Sequence, residues 1–173
     1  AEIVADGGKA VAHVAPVGAA AVADELVALA VSRYGRLDVM VPNAGVLRDS
    51  TVGRMSDEAF DVVISTHLRG AFTCARASFG QFREQGDGGR LILVGSPAGQ
   101  RASFGQANYS SAKGGIAGMA RTLAAEGKKY GISVNAIVPT ALTSMMATIP
   151  QFTDLVASVE AGEPVPDEMR ELG

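Results

Sequence analysis

"RLILVGSPAGQRASFGQANYSSAKGG" (residues 90–115) decides how this chain is read. "RLILVGS" (90–96) is a continuous apolar run entering a Gly/Pro/Ser loop, and a helix predicted over roughly 107–127 follows. A strand that is apolar throughout, not at alternate positions, belongs to a parallel sheet covered on both faces. The pattern recurs on either side. "RLDVMV" (36–41) is a buried strand ended by "PNAG" (42–45), and "ISVNAIV" (132–138) is a strand stopped by Pro139. "AAAVADELVALAVSRYG" (19–35) has helical apolar spacing with Gly35 as its stop, and "KAVAHV" (9–14) reads as a short first strand holding a structural His13. Ser56 is a good N-cap, with Asp57 and Glu58 complementing the dipole of a long helix that runs to about Gln85. Phe60, Ile64, Leu68, Phe72 and Ala75 mark one face of it, and "GDGG" (86–89) closes it with a loop.

Strands alternating with helices give an α/β, doubly wound parallel sheet. In such sheets ligands bind outside the carboxyl ends of the strands. The segments there are "PNAG", "GSPAGQ" and "PTALTS". The length of 173 residues fits one domain, with residues 1–148 as its body and 149–173 as a C-terminal surface segment ending in the charged, Pro-containing "VEAGEPVPDEMRELG". Hydrophobic residues make up 47%, yet no apolar run is long enough to span a membrane. A net charge of −3 with scattered basic residues argues against nucleic acid. The single Cys74 excludes an internal disulfide, offers no metal cluster, and fits a reducing cytoplasm. "AEIVADGGKAV" (1–11) reads as the tail of a helix stopped at Gly7–Gly8, so the chain is expected to be an internal piece of a longer one.

Tyr109 and Lys113, four residues apart, share a helix face. A neighbouring ammonium favours phenolate over phenol, the form a general base needs. Such a pair also occurs as a plain surface contact. Ser96 ends a strand thirteen residues earlier, where its hydroxyl can meet that helix face above the sheet edge. The three together point to proton transfer at a substrate oxygen.

In that order and spacing, "NAG" (43–45), Ser96, "YSSAK" (109–113) and "VNAIVP" (134–139) resemble the short-chain dehydrogenases/reductases, over roughly residues 1–148. "GVLRDSTVGRMSDEAFD" (45–61), "HLRGAF" (67–72) and the stretch from Phe104 to Pro139 are similar to one branch of that family. That branch comprises the (3R)-hydroxyacyl-CoA dehydrogenase units of peroxisomal multifunctional enzymes type 2 and their bacterial relatives. The resemblance implies a Rossmann-like fold and hydride transfer between a secondary alcohol and NAD or NADP, with a 3-hydroxyacyl-CoA as the favoured substrate. It implies Tyr109 as acid/base, Lys113 favouring the phenolate and holding the nicotinamide ribose, and Ser96 bonding the substrate oxygen. His67 stands where many members carry a relay asparagine; a satisfied helix histidine is the alternative. Asn43, Ala44, Gly45, Pro139 and Thr143 would meet the cofactor, and no metal is implied. A homo-oligomer through the two long helices follows from the same resemblance, and "ASFGQF" (77–82) and "GGIAGMA" (114–120) supply small residues for close helix approach.

Departures from the family pattern bear on function. "NNAG" is "PNAG" here, Pro16 stands where an acidic residue is usual, and "PG" is "PT" (139–140). The Gly-rich βαβ unit that would hold the pyrophosphate does not occur in these residues, and the final strand of the family is also absent. By itself the chain is therefore expected to bind NAD weakly and turn over negligibly. A non-catalytic or degenerate relative acting as a binding or scaffolding module is the competing reading.

Overall fold

The computed structural model describes residues 2–139 and 152–166. Helices α1 (Glu2–Ala5), α2 (Ala20–Tyr34), α3 (Asp57–Ile64), α4 (Gly70–Gln85), α5 (Ala107–Gly127) and α6 (Thr153–Glu160) accompany strands β1 (Val39–Met40), β2 (Gly89–Val94) and β3 (Ile132–Ile137). The strands form one parallel sheet in the order β1-β2-β3, with Met40 opposite Leu91 and Leu91 opposite Val134. This is the α/β, Rossmann-like arrangement that the alternating pattern predicts. Because all strands run the same way, the segments after Met40, Val94 and Ile137 leave from one edge of the sheet.

Leu91 and Leu93 are fully buried with Ala71, Ala75 and Phe82 of α4 and Ile116 and Ala120 of α5, so these two helices cover one sheet face. The register puts Val39, Ile92, Val94 and Ile137 on the other face together with Arg90, Ser133 and Asn135, and that face is the more open of the two, with Val39 and Ile137 exposed. Helix ends follow local rules. Ser56 Oγ accepts from Ala59 N at 3.2 Å, and α2 and α4 both stop at glycines with left-handed φ, Gly35 and Gly86.

Four expectations are corrected. "KAVAHV" is not a strand: residues 9–14 have no ladder partner, Val14 is 96% exposed, and His13 lies 3.4 Å from Glu25. A short β-branched run becomes a strand only when it finds a ladder and a face to bury. The strand expected at 36–41 contracts to Val39–Met40. Asp38 O accepts from Arg90 N, so the polar groups of Leu37 point away from β2, where the Gln85 amide accepts from Leu37 N and donates to Leu37 O, both at 2.8 Å. One side chain thus closes that edge as a neighbouring strand would.

The strand expected at 90–96 ends at Val94, and Ser96 instead caps a 3-10 turn at Pro97–Gly99. The long helix is also not uniform. A π-helical turn, Ser65–Arg69, joins α3 to α4. The stripe facing the core is Val63, His67, Ala71, Ala75, Ser78 and Phe82. Of the expected face Ala75 belongs to it and Leu68 packs half-buried against the core, whereas Phe60 and Phe72 are 38% and 47% exposed. Apart from Phe82 near its end, the core side of this helix packs close to its neighbours through small residues, and Phe60 and Phe72 are left on the outer side.

Candidate active site

Helix α5 starts at the strand-end edge, and its first turn is built around Asn108. Gln106 at the N-cap makes no side-chain capping bond. Asn108 Oδ1 accepts from Tyr109 N at 2.8 Å and so satisfies one of the orphan amides of that turn. Tyr109 itself is half-buried. Its ring meets that of His67 edge to face, with centroids 5.1 Å apart.

Lys113, one turn further along, is buried, and its Nζ donates to Val94 O at 2.7 Å. The same Nζ lies 5.5 Å from the centroid of the Tyr109 ring, within cation–π range. The ammonium is therefore anchored on the last carbonyl of β2 and sits over the phenol ring. Burial lowers the Lys113 pKa from its ordinary 10.5 to about 8.

The loop after β2 reaches this pair through Gly99. A Cβ at that position would lie 2.6 Å from the Lys113 carbonyl carbon, so only a glycine lets the Ser96–Gly99 backbone rest on α5. Ser96 is half-buried, and its Oγ accepts from Ala98 N at 3.2 Å, a bond that does not use its hydroxyl hydrogen.

His67 stands in the π turn, a type of irregularity frequent at functional sites. It is buried, and its Nε2 is 2.9 Å from Val46 O and 3.1 Å from Val46 N. Only one of these bonds forms in a given tautomer. The Nε2–H form leaves a bare lone pair on the buried Nδ1, which has no partner, and the other form strands an N–H there. Orphan donors are the rarer of the two in folded proteins, so we assign Nε2–H donating to Val46 O.

Desolvation lowers the His67 pKa below its usual 6.5, the Val46 bond works against this, and the Lys113 charge adds to the lowering. The folded state then binds fewer protons than the unfolded chain just below pH 6.5, so stability falls as pH drops through that region. His67→Asn should flatten the loss of thermal midpoint between about pH 7 and 5 relative to the native protein. Calorimetry of both across this range is the check, and equal slopes would show that His67 titrates as it does unfolded.

The remaining expected site residues lie at the same edge. Asn43 and Ala44 are exposed and Gly45 half-buried in the extended segment after β1, and Pro139 is exposed after β3. Thr143 lies outside the described residues. Tyr109 meets both the His67 ring and the Lys113 ammonium, and Ser96 lies two residues beyond the carbonyl that anchors Lys113. Asn108, Gly99 and the π turn are site features that the sequence pattern does not single out. An amide side chain beside the tyrosine of the Tyr-x-x-x-Lys spacing was the available signal for Asn108.

A family model described as short chain dehydrogenase matches residues 1–152. The chain belongs to the short-chain dehydrogenase family. The chain is 45% identical to the peroxisomal multifunctional enzyme type 2 of Mus musculus over 149 residues, 86% of this chain and 20% of the mouse protein. It is 40% identical to the acetoacetyl-CoA reductase of an Acinetobacter species over 79% of this chain and 54% of the reductase. A crystal structure of a short chain dehydrogenase from Mycobacterium avium superimposes with a TM-score of 0.80 at 44% identity, covering 83% of this chain and 51% of that one. The chain thus spans between a fifth and about half of the length of these relatives.

Proposed function

We propose that the protein is an NAD(P)-dependent oxidoreductase that interconverts a secondary alcohol and a ketone, with a 3-hydroxyacyl-CoA as its substrate. The convergence of Tyr109, Lys113 and His67 at the strand-end edge carries this reading. Tyr109 takes the substrate's hydroxyl proton. Lys113, kept in place by Val94 O, holds its ammonium over the Tyr109 ring and presents it to a ribose. Ser96 donates its hydroxyl hydrogen to the substrate oxygen. His67, with a lone pair on Nδ1, accepts a proton behind Tyr109.

NAD or NADP, when bound, supplies the acceptor for the hydride that leaves the carbinol carbon. The nicotinamide half fits the residues present: Lys113, the open Asn43–Ala44–Gly45 backbone and Pro139 lie at neighbouring strand ends. The 173 residues hold no Gly-rich strand–turn–helix for the pyrophosphate. Residues 1–148 and 149–173 are assigned to a single domain. No helix among the described residues is long and apolar enough to cross a membrane. The cytoplasmic placement rests on the single Cys74, which is unpaired.

Similarity to an acetoacetyl-CoA reductase supports a CoA thioester over other alcohols. The test is nicotinamide reduction by the complete gene product, followed by absorbance, with 3-hydroxyacyl-CoAs of several chain lengths, a steroid alcohol and a small hydroxy compound. Turnover of the thioesters supports the proposal; turnover of none of these alcohols overturns it.

The outer stripe of the long helix supports a homo-oligomer. Ile64, Leu68 and Phe72, with Met119 of α5, line an open groove of about 480 Å³, flanked by Asp61 and Arg69. Apolar surface of this kind marks a contact between protein chains. Light scattering should give an assembled mass, and Phe72→Asp, at a position 47% exposed, should give monomers with little change in thermal midpoint. A monomeric native protein at micromolar concentration would remove this assignment.

A further inference from the structure

We infer that Asn108 is a positioning residue for the proposed reaction, holding the phenol of Tyr109 and the loop at 46–50 in one rigid frame. The inference rests on the reading of Tyr109 as the acid/base. Asn108 is fully buried. Its Nδ2 donates to Arg48 O at 2.9 Å and to Ala59 O at 3.1 Å, while its Oδ1 accepts from Tyr109 N. The amide orientation is fixed by its partners, since two carbonyls require the nitrogen and one N–H requires the oxygen. Both donors and one acceptor are thus used on three different elements: the loop after β1, α3 and the first turn of α5.

The loop is held at a second point from the other side of the same tyrosine. His67, whose ring touches Tyr109, bonds Val46, and Asn108 bonds Arg48 two residues later. Beyond Arg48, Ser50 N donates to Gly105 O at 2.8 Å and Gln106 Nε2 to Asp49 Oδ2 at 2.8 Å. The segment that follows Asn43–Ala44–Gly45 is therefore laced to His67 and to residues 105–108 just ahead of Tyr109, and the buried members of that lacing are His67 and Asn108. A buried amide meeting this many partners specifies one geometry, because any shift leaves a polar group unpaired. Displacement of a reacting group by about 1 Å can lower a rate by about 10².

Asn108→Asp separates the two halves of this role. The carboxylate keeps the shape and still accepts from Tyr109 N, but it cannot donate to Arg48 O and Ala59 O. In the complete gene product we expect kcat for the 3-hydroxyacyl-CoA to fall at least about tenfold, with KM for the cofactor within about twofold. A residue that only stabilises the fold would lower the thermal midpoint and leave kcat of the folded enzyme unchanged. A kcat within about twofold of the native value in a folded variant overturns the inference. Should the aspartate variant fail to fold, Asn108→Ser, which keeps one donor without a buried charge, is judged by the same split.

Amide hydrogen exchange on the 173-residue chain distinguishes failure of this inference from failure of the enzymatic reading. In the variant Ser50 N–H should exchange at least about tenfold faster while Tyr109 N–H stays protected. Unchanged exchange at Ser50 would overturn the coupling even where no alcohol is turned over. Faster exchange beside an inactive native enzyme would leave the coupling standing and sink only the proposed activity.

Discussion

Replacing Tyr109 by phenylalanine is expected to lower turnover of the complete gene product by at least about 10²-fold, with cofactor affinity close to native. The substitution removes one oxygen and keeps the ring. The edge-to-face contact with His67 at 5.1 Å and the Lys113 ammonium 5.5 Å from the ring centroid both depend on the ring, so the local packing survives. Lys113 remains anchored on Val94 O, a bond in which the phenol takes no part. What disappears is the group proposed to accept the substrate's hydroxyl proton. Steady-state kinetics and a cofactor titration of the same preparation measure both arms. Near-native kcat would take Tyr109 out of the mechanism, and loss of cofactor binding would show that its hydroxyl serves to hold the nucleotide.

Lys113→Met is expected to abolish turnover and to reshape the dependence of stability on pH. Burial favours the neutral amine, so the folded pKa of about 8 lies below the ordinary 10.5. Between these values the unfolded chain binds the proton that the folded chain has released, and stability rises with pH across that window. Below about pH 8 both states are charged and the gain is absent. At about 1.4 kcal/mol per unit, the rise approaches the order of 3 kcal/mol by the upper end of the window. The methionine variant has no such group and should lack the rise. Urea unfolding of both proteins at pH 7.5 and 10 gives the difference directly, and parallel profiles would mean that the fold keeps Lys113 charged. The lysine is a thermodynamic burden at neutral pH, and its proposed role beside a reacting phenol would be a reason to retain one there.

Much of the fold was legible because its signals are local. The Ser56 cap, the glycine stops at Gly35 and Gly86 and the extent of α5 depend on residues within a turn of each end. The strands β2 and β3 were legible from apolar runs that a parallel sheet requires. "KAVAHV" was misread because strand formation is settled by a partner, and β-branched residues announce only a willingness to pair. The outer stripe of the long helix was misread because bulk was taken for burial, whereas close packing around Leu91 and Leu93 selected alanines. At the site, Tyr109, Lys113 and Ser96 could be brought together on paper because parallel strands deliver their ends to one edge. Asn108 could not, since its partners are backbone carbonyls at 48 and 59, and a carbonyl carries no mark in a sequence.

The π turn at Ser65–Arg69 has a consequence for how this chain can vary. An extra residue in a helical turn advances everything beyond it by about 100°. Within it, His67 meets the Tyr109 ring; downstream, it aims Phe82 at the recess beneath Gly89, where even a methyl group would collide with the ring. Deleting one residue from the turn would let α3 and α4 fuse into a regular helix in which only one of these two engagements could be kept. Exchanges of side chain along the outer stripe leave both untouched. The helix behaves like a geared shaft, free to change its finish but not its number of teeth.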